Sequence, residues 1–236
     1  MEKTYSIILC TAFVFAGLAE NAHGSVLVVS DATRGWFTPS TDSGLGLAGN
    51  NYRAGFCPGP PGGCMSGPAE FRDFYTFAIP LLDGPVVSAV LTVSSAGVST
   101  VDSPSMTYQI TSIPSVFGFT DLGTGTVYGS RVYTAADGAN NPAAPEGTNQ
   151  SITLDAAGIA AILSNTTFGI GGRVTTLGGS ATSEFVFDSS GTGVCPKCIA
   201  QLQITTRATV PEPETYGLFA GGFAALWLLR RRAVAS

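Results

Sequence analysis

FRDFYTFAIPLLDGPVVSAVLTV, residues 71–93, is the stretch from which the fold is read. In its first half Tyr75, Phe77 and Ile79 fall at every second position and share one face of an extended strand, with Thr76 on the other face. Val87, Ala89, Leu91 and Val93 repeat that spacing after Asp83-Gly84-Pro85, a turn-forming triplet. The two halves are expected to pair as antiparallel neighbours. Similar short runs follow at 106–110, 127–133, 151–154, 168–174, 184–187 and 202–204, close to the spacing of a sandwich. One segment breaks the pattern: 156–163 has helical composition, with Asp155 as N-cap and Asn165 as stop. The expectation is an all-β chain, a single antiparallel β-sandwich of jelly-roll type with one short helix.

Composition sets the outer limits. Glycine is abundant at 30 residues and charged residues are only 11%, which alone would fit a disordered chain. The recurrent alternation of valine, isoleucine and phenylalanine argues instead for strands that bury one face. No charge run or Ser/Pro linker divides the middle of the chain, so residues 25–209 are expected to form one domain.

The two ends carry addressing signals. Lys3 precedes an apolar run from Ile7 to Leu18, and small residues follow, the order of a secretory signal peptide over residues 1–24. Cleavage after Gly24 leaves 25–30 to begin a strand; Ala19 is the alternative site. Cys10 follows Leu9, too large for a lipoprotein box, so no lipid anchor is expected. His23 is the only histidine, so a chain cut after Gly24 contains none, and that cut excludes a Ser-His-Asp hydrolase. Residues 25–213 then hold seven basic and thirteen acidic side chains. Nucleic acid and anionic membrane are poor partners for such a surface.

At the other end, residues 216–229 are free of charge and apolar, and Arg230, Arg231 and Arg232 follow at once. As a helix these 14 residues would rise roughly 21 Å, short of the ~30 Å hydrocarbon core. The arginines place the C-terminus on the cytoplasmic side and the body outside. Pro211-Glu212-Pro213 precedes the run as an extended segment open to a processing enzyme. Pro-Glu-Pro, then an apolar run, then terminal arginines closely resembles the PEP-CTERM sorting tail of Gram-negative bacteria, here over residues 210–236. That resemblance implies transient insertion of a hydrophobic sorting helix in the inner membrane, and removal of the tail by an exosortase. It also implies a destination at the cell surface or in an extracellular matrix containing exopolysaccharide.

The body carries a second, looser resemblance. The strand ending in Ile79-Pro80, followed by Val87-Ser88-Ala89-Val90-Leu91-Thr92-Val93, is similar to a stretch of DNRLRE-type β-sandwich domains. The later order of helix near Asp155, strand near Ile170, residues 184–190 and a last strand at 202–204 also follows that domain, although the DNRLRE hexapeptide is absent. The resemblance implies a sandwich of secreted and cell-wall proteins, some of them similar to carbohydrate-binding modules.

No reaction centre is expected. Cys195-Pro196-Lys197-Cys198 has the spacing of a redox pair or half a zinc site, and Cys57 and Cys64 bound a Pro/Gly loop. In an exported chain these four cysteines are better read as disulfides, with the local pairs Cys57 to Cys64 and Cys195 to Cys198 favoured among three connectivities. Glu70 with Asp73, and Glu184 with Asp188, are the nearest carboxylate pairs for glycoside hydrolysis. The plainer reading makes the first pair solvent-facing on an edge strand and the second strand-end and turn residues. Sugar contacts through rings fall to Trp36, Tyr52 and Tyr128, with Tyr133 also available, while the plainer reading places most of them in the core, since Trp36 adjoins Phe37 and Tyr133 alternates with Arg131. Calcium through Asp31, Asp121 or Asp188 stays open, and no cofactor or metal is assigned. Three classes therefore compete: a non-catalytic surface or matrix interaction module with weak glycan binding, a glycan-active enzyme, and a thiol or metal protein. The first requires only features already present.

Overall fold

A computed structural model describes residues 24–40, 52–59, 68–95, 98–100, 104–134, 137, 148–178, 183–187, 200–207, 221–223 and 230. The chain divides into two compact units, one formed by Val26–Leu82 with Val86–Thr206, the other by Met1–Ser25, Asp83–Pro85 and Arg207–Ser236.

The first unit is an all-β sandwich, as the alternating runs require. Its strands are β1 (Val26–Ser30), β2 (Thr33–Phe37), β3 (Ala54–Cys57), β4 (Ala69–Ala78), β5 (Val86–Ser95), β6 (Val98–Thr100) and β7 (Met106–Ser112). They continue as β8 (Val127–Tyr133), β9 (Thr148–Thr153), β10 (Thr167–Val174), β11 (Glu184–Val186) and β12 (Ala200–Thr206). Four strands form one sheet in the order β1-β12-β5-β9. Eight form the other, in the order β6-β11-β3-β4-β10-β7-β8, with β2 paired to β4 beside that path. The helix α1 (Ala156–Ser164) starts where the sequence predicts, the Asp155 carboxylate accepting the Gly158 N–H at 2.9 Å. It stops at Asn165, whose side-chain amide donates to the Ala161 carbonyl at 2.8 Å.

One expected pairing is overturned. β4 and β5 are not neighbours: β4 pairs with β2, β3 and β10, whereas β5 pairs with β12 and β9 in the other sheet. Both strands present alternate apolar residues to the same core from opposite layers, so periodicity alone could not distinguish a hairpin from a crossover. Tyr75, Phe77 and Ile79 face that core as read, together with Ala89, Leu91, Val93, Phe168, Ile170, Leu202 and Ile204.

The outer face of the larger sheet has its own cover. Phe74 points away from the main core and packs with Phe37, Leu122 and Phe117 in a second cluster. The cover is residues 113–125, fastened by Arg72, which donates to the Phe119 and Leu122 carbonyls at 3.2 and 3.0 Å. The Phe-Gly-Ile-Gly-Gly run of β10 makes this approach possible. A Cβ on Gly171 would stand 2.7 Å from both Ile113 and Leu122 side chains.

In the second unit the Arg207 N–H donates to the Pro85 carbonyl at 2.8 Å, and residues 221–223 and Arg230 are helical. Residues 1–23 of the expected signal helix and most of the sorting helix lie outside the described residues. Among the described residues no helix is long and apolar enough to cross a membrane.

Candidate functional site

Asp73 is the least expected feature of the sandwich. Far from facing solvent on an edge strand, it is fully buried on β4, an interior strand of the larger sheet. Its two carboxyl oxygens accept hydrogen bonds from the Tyr108 hydroxyl at 2.8 Å and the Tyr75 hydroxyl at 3.0 Å. Gly172 lies opposite it on β10, and a Cβ there would clash with both the Tyr108 hydroxyl and an Asp73 oxygen. Glycine is therefore what lets the buried pair form. Around it Tyr52, Tyr75, Tyr108, Tyr133 and Phe187 pack ring to ring at centroid distances of 5.0 to 6.3 Å. Phe187 holds φ at 59°, a left-handed conformation costly for a side chain of this size.

Burial pushes the Asp73 carboxyl up to about 7, against the opposing hydrogen bonds from Tyr108 and Tyr75. Burial likewise drives the Tyr75 and Tyr108 hydroxyls well above their ordinary range, so both remain donors. The native Asp73 pKa lies above the unfolded value, so the native state holds a proton that the unfolded chain releases. Stability is full below about pH 4 and declines until the pH passes through about 7. Urea denaturation should find the protein less stable at pH 8 than at pH 5 by about 2 to 3 kcal/mol. Asp73→Asn should remove most of that slope. Asp31, also raised by burial against its bridge to Arg34, supplies a residue of the same sign. An unchanged slope in the variant would reassign it to other groups.

The carboxylate pairs do not assemble. Glu70 is bound in a two-pronged bridge to Arg72, 2.7 and 3.3 Å, on the face of β4 opposite to Asp73. Glu184 is buried at the start of β11 and accepts the Gly178 N–H at 2.9 Å; Asp188 lies outside the described residues. Of the calcium candidates, Asp31 bridges Arg34 at 3.3 Å and Asp121 accepts the Gly118 N–H at 2.9 Å. Among the described residues no three His, Cys, Asp or Glu side chains are grouped to hold a metal.

The ring candidates divide. Tyr52 and Tyr133 are fully buried in the cluster around Asp73, which corrects the reading of Tyr52 as a sugar contact. Trp36 is half-buried, its ring 5.0 Å from Phe71. Tyr128 is also buried in the main core, 8% exposed, and stacks on Phe168 at 5.5 Å, while part of it lines an open cleft of about 390 Å³. Phe117, Ile113 and Pro114 from the covering segment form the apolar wall of that cleft, with Thr76, Ser115, Asn165 and Thr167 supplying polar groups. Neither the covering segment nor its meeting with the end of α1 was visible in sequence, because both depend on the glycines of β10.

Of the cysteines, Cys57 ends β3 fully buried, its Sγ 3.9 Å from the Ser183 hydroxyl. Cys64, Cys195 and Cys198 lie outside the described residues, as do Pro211, Glu212, Pro213, Arg231 and Arg232 of the sorting tail. Arg230 is exposed.

No curated protein matches the chain. Among solved structures, the K1 cleaved adhesin domain of Lys-gingipain from Porphyromonas gingivalis W83 aligns with it at 12% identity and a TM-score of 0.29, over 79% of this chain and 100% of that one. So distant a likeness transfers neither fold nor function. Residues 209–232 match the PEP-CTERM protein-sorting motif. The motif is the recognition signal for exosortase and marks a protein that is exported in Gram-negative bacteria and sorted to the cell surface.

Proposed function

We propose that the chain is a non-catalytic surface or matrix module, delivered by a cleaved signal peptide and trimmed by exosortase, that associates with exopolysaccharide through weak glycan contacts. The observation that carries this is the sorting motif over residues 209–232. Its body is read as a DNRLRE-type sandwich. Support for a sugar contact comes from the cleft beside Tyr128, where apolar rings adjoin four short polar side chains, the mixture that pyranose faces and hydroxyls require. No cofactor enters the proposal. In the oxidising compartment outside the cytoplasm the buried Cys57 is disulfide-bonded, with Cys64 the favoured partner and Cys195 to Cys198 the second local bridge.

The test is intact-mass analysis of protein recovered from the surface fraction of an exosortase-bearing host. The expected species begins at Ser25, lacks Trp227, ends near Glu212 and gains four hydrogens on reduction. Retention of Trp227 would replace sorting by a plain anchor. Four free thiols, or bound zinc in stoichiometric amount, would favour the thiol or metal reading. On a glycan array, binding without release of reducing ends separates a module from a glycan-active enzyme.

A further inference from the structure

The two edges of the smaller sheet are treated differently. At the β9 edge, Arg131 of β8 donates to the Ser151 carbonyl at 3.0 Å, and Gly129 lets the β8 backbone come close to the Thr153 carbonyl. At the opposite edge stands β1, whose only strand partner among the described residues is β12. Its sequence, Val-Leu-Val-Val-Ser, carries no charge and no proline, the usual guards of an open edge. Val26 and Val28 are 59% and 53% exposed.

The face behind this edge is equally uncharged. Val26, Val28 and Ser30 of β1 lie beside Thr205, Gln203 and Gln201 of β12, and these beside Ser88, Val90 and Thr92 of β5. A chain with a large acidic excess thus presents one sheet whose outward residues on these strands bear no charge. Two such surfaces meet without repulsion, whereas a charged partner would find no counter-charge. The pattern also complements itself: antiparallel pairing centred on Val28 sets Val28 opposite Val28, and Val26 opposite Ser30, so one two-fold axis satisfies both copies.

We propose that β1 is a self-association edge, where a second copy adds its own β1 antiparallel and joins two four-stranded sheets into a single continuous one. The inference does not depend on glycan binding. Five residues of edge pairing give a small interface, so the dimer is weak and concentration-dependent, and it is favoured where copies are crowded on a surface.

Register-specific cross-linking tests it, with the exported protein as recovered from cells and the wild-type chain as the blank for its native cysteines. Val28→Cys is expected to give a covalent dimer on non-reducing gels, and mass spectrometry of its digest should find the two introduced thiols joined to each other. Val26→Cys is expected to give little, since its like residue lies too far along the partner strand for disulfide geometry. In sedimentation the average mass of the wild type should rise with concentration, and Val28→Lys, with an unchanged circular dichroism spectrum, should lose that rise. Equal cross-linking at positions 26 and 28 would overturn the proposal. So would capture of the thiol introduced at position 28 by a native cysteine or by another protein, or a wild type that stays monomeric throughout.

Discussion

Phe77→Asp is expected to abolish the cooperative fold, leaving a chain that shows no thermal transition by circular dichroism and is recovered in poor yield. Phe77 is fully buried on β4, opposite Phe168 across the ladder and inside the main core. A carboxylate there loses hydration without gaining a partner, at a cost of several kcal/mol, which is on the order of the total stability of a domain. Asp73 supplies the control within the same strand face: a buried carboxyl is tolerated where two tyrosine hydroxyls converge on it. Thr76→Val should be mild by comparison. It removes an exposed hydroxyl contact with Thr33, 2.6 Å, worth about 1 kcal/mol. Comparable melts for the two variants would reverse the assignment of the faces of β4.

Gly55→Ala should be nearly as damaging, by a different route. Gly55 sits in the middle of β3 at φ +143°, a conformation that L side chains rarely adopt. A Cβ would stand 2.0 Å from the Glu184 carbonyl oxygen and 2.8 Å from the Phe185 Cα, and both are backbone atoms that cannot rotate away. Relief requires β11 to part from β3, losing the pairing of residues 184–186 with 54–56. Strain and repacking together should cost a few kcal/mol. Hydrogen exchange should localise the damage to 54–56 and 184–186. In the untrimmed precursor, Gly221→Ala, where no described residue lies within 4 Å of the added carbon, should leave the melt unchanged.

The strands were legible because each buries alternate residues, and alternation survives any arrangement of neighbours. Residues 106–110, 127–133 and 168–174 all fall in strands, and the Asp155 cap fixes the start of the helix. Pairing was not legible. Consecutive strands β4 and β5 have the periodicity of a hairpin, yet lie in opposite layers that share one core. β2 and β3 escaped notice for lack of clear alternation, since Thr-Arg-Gly-Trp-Phe and Ala-Gly-Phe-Cys each contain a glycine where a side chain would mark the face. Asp73 was misread because charge normally signals solvent; its two tyrosine partners lie two and 35 residues away, and only the fold unites them. The sorting motif, by contrast, was readable, because it is a linear string, and the match covers residues 209–232.

Trp36 gives the sandwich an internal gauge of its own folding. The chain has two tryptophans, Trp36 in β2 and Trp227 in the tail. In the trimmed form proposed above, every photon of indole emission comes from Trp36, whose ring rests on Phe71 within the small cluster that also holds Cys57 and Phe185. Its emission should shift to the red as that corner opens. The precursor should instead report a mixture, with Trp227 contributing light unrelated to the unfolding of the body. A single spectrum, followed through a denaturant series, would thus distinguish trimmed from untrimmed protein and follow the β2 corner of the domain without any added label.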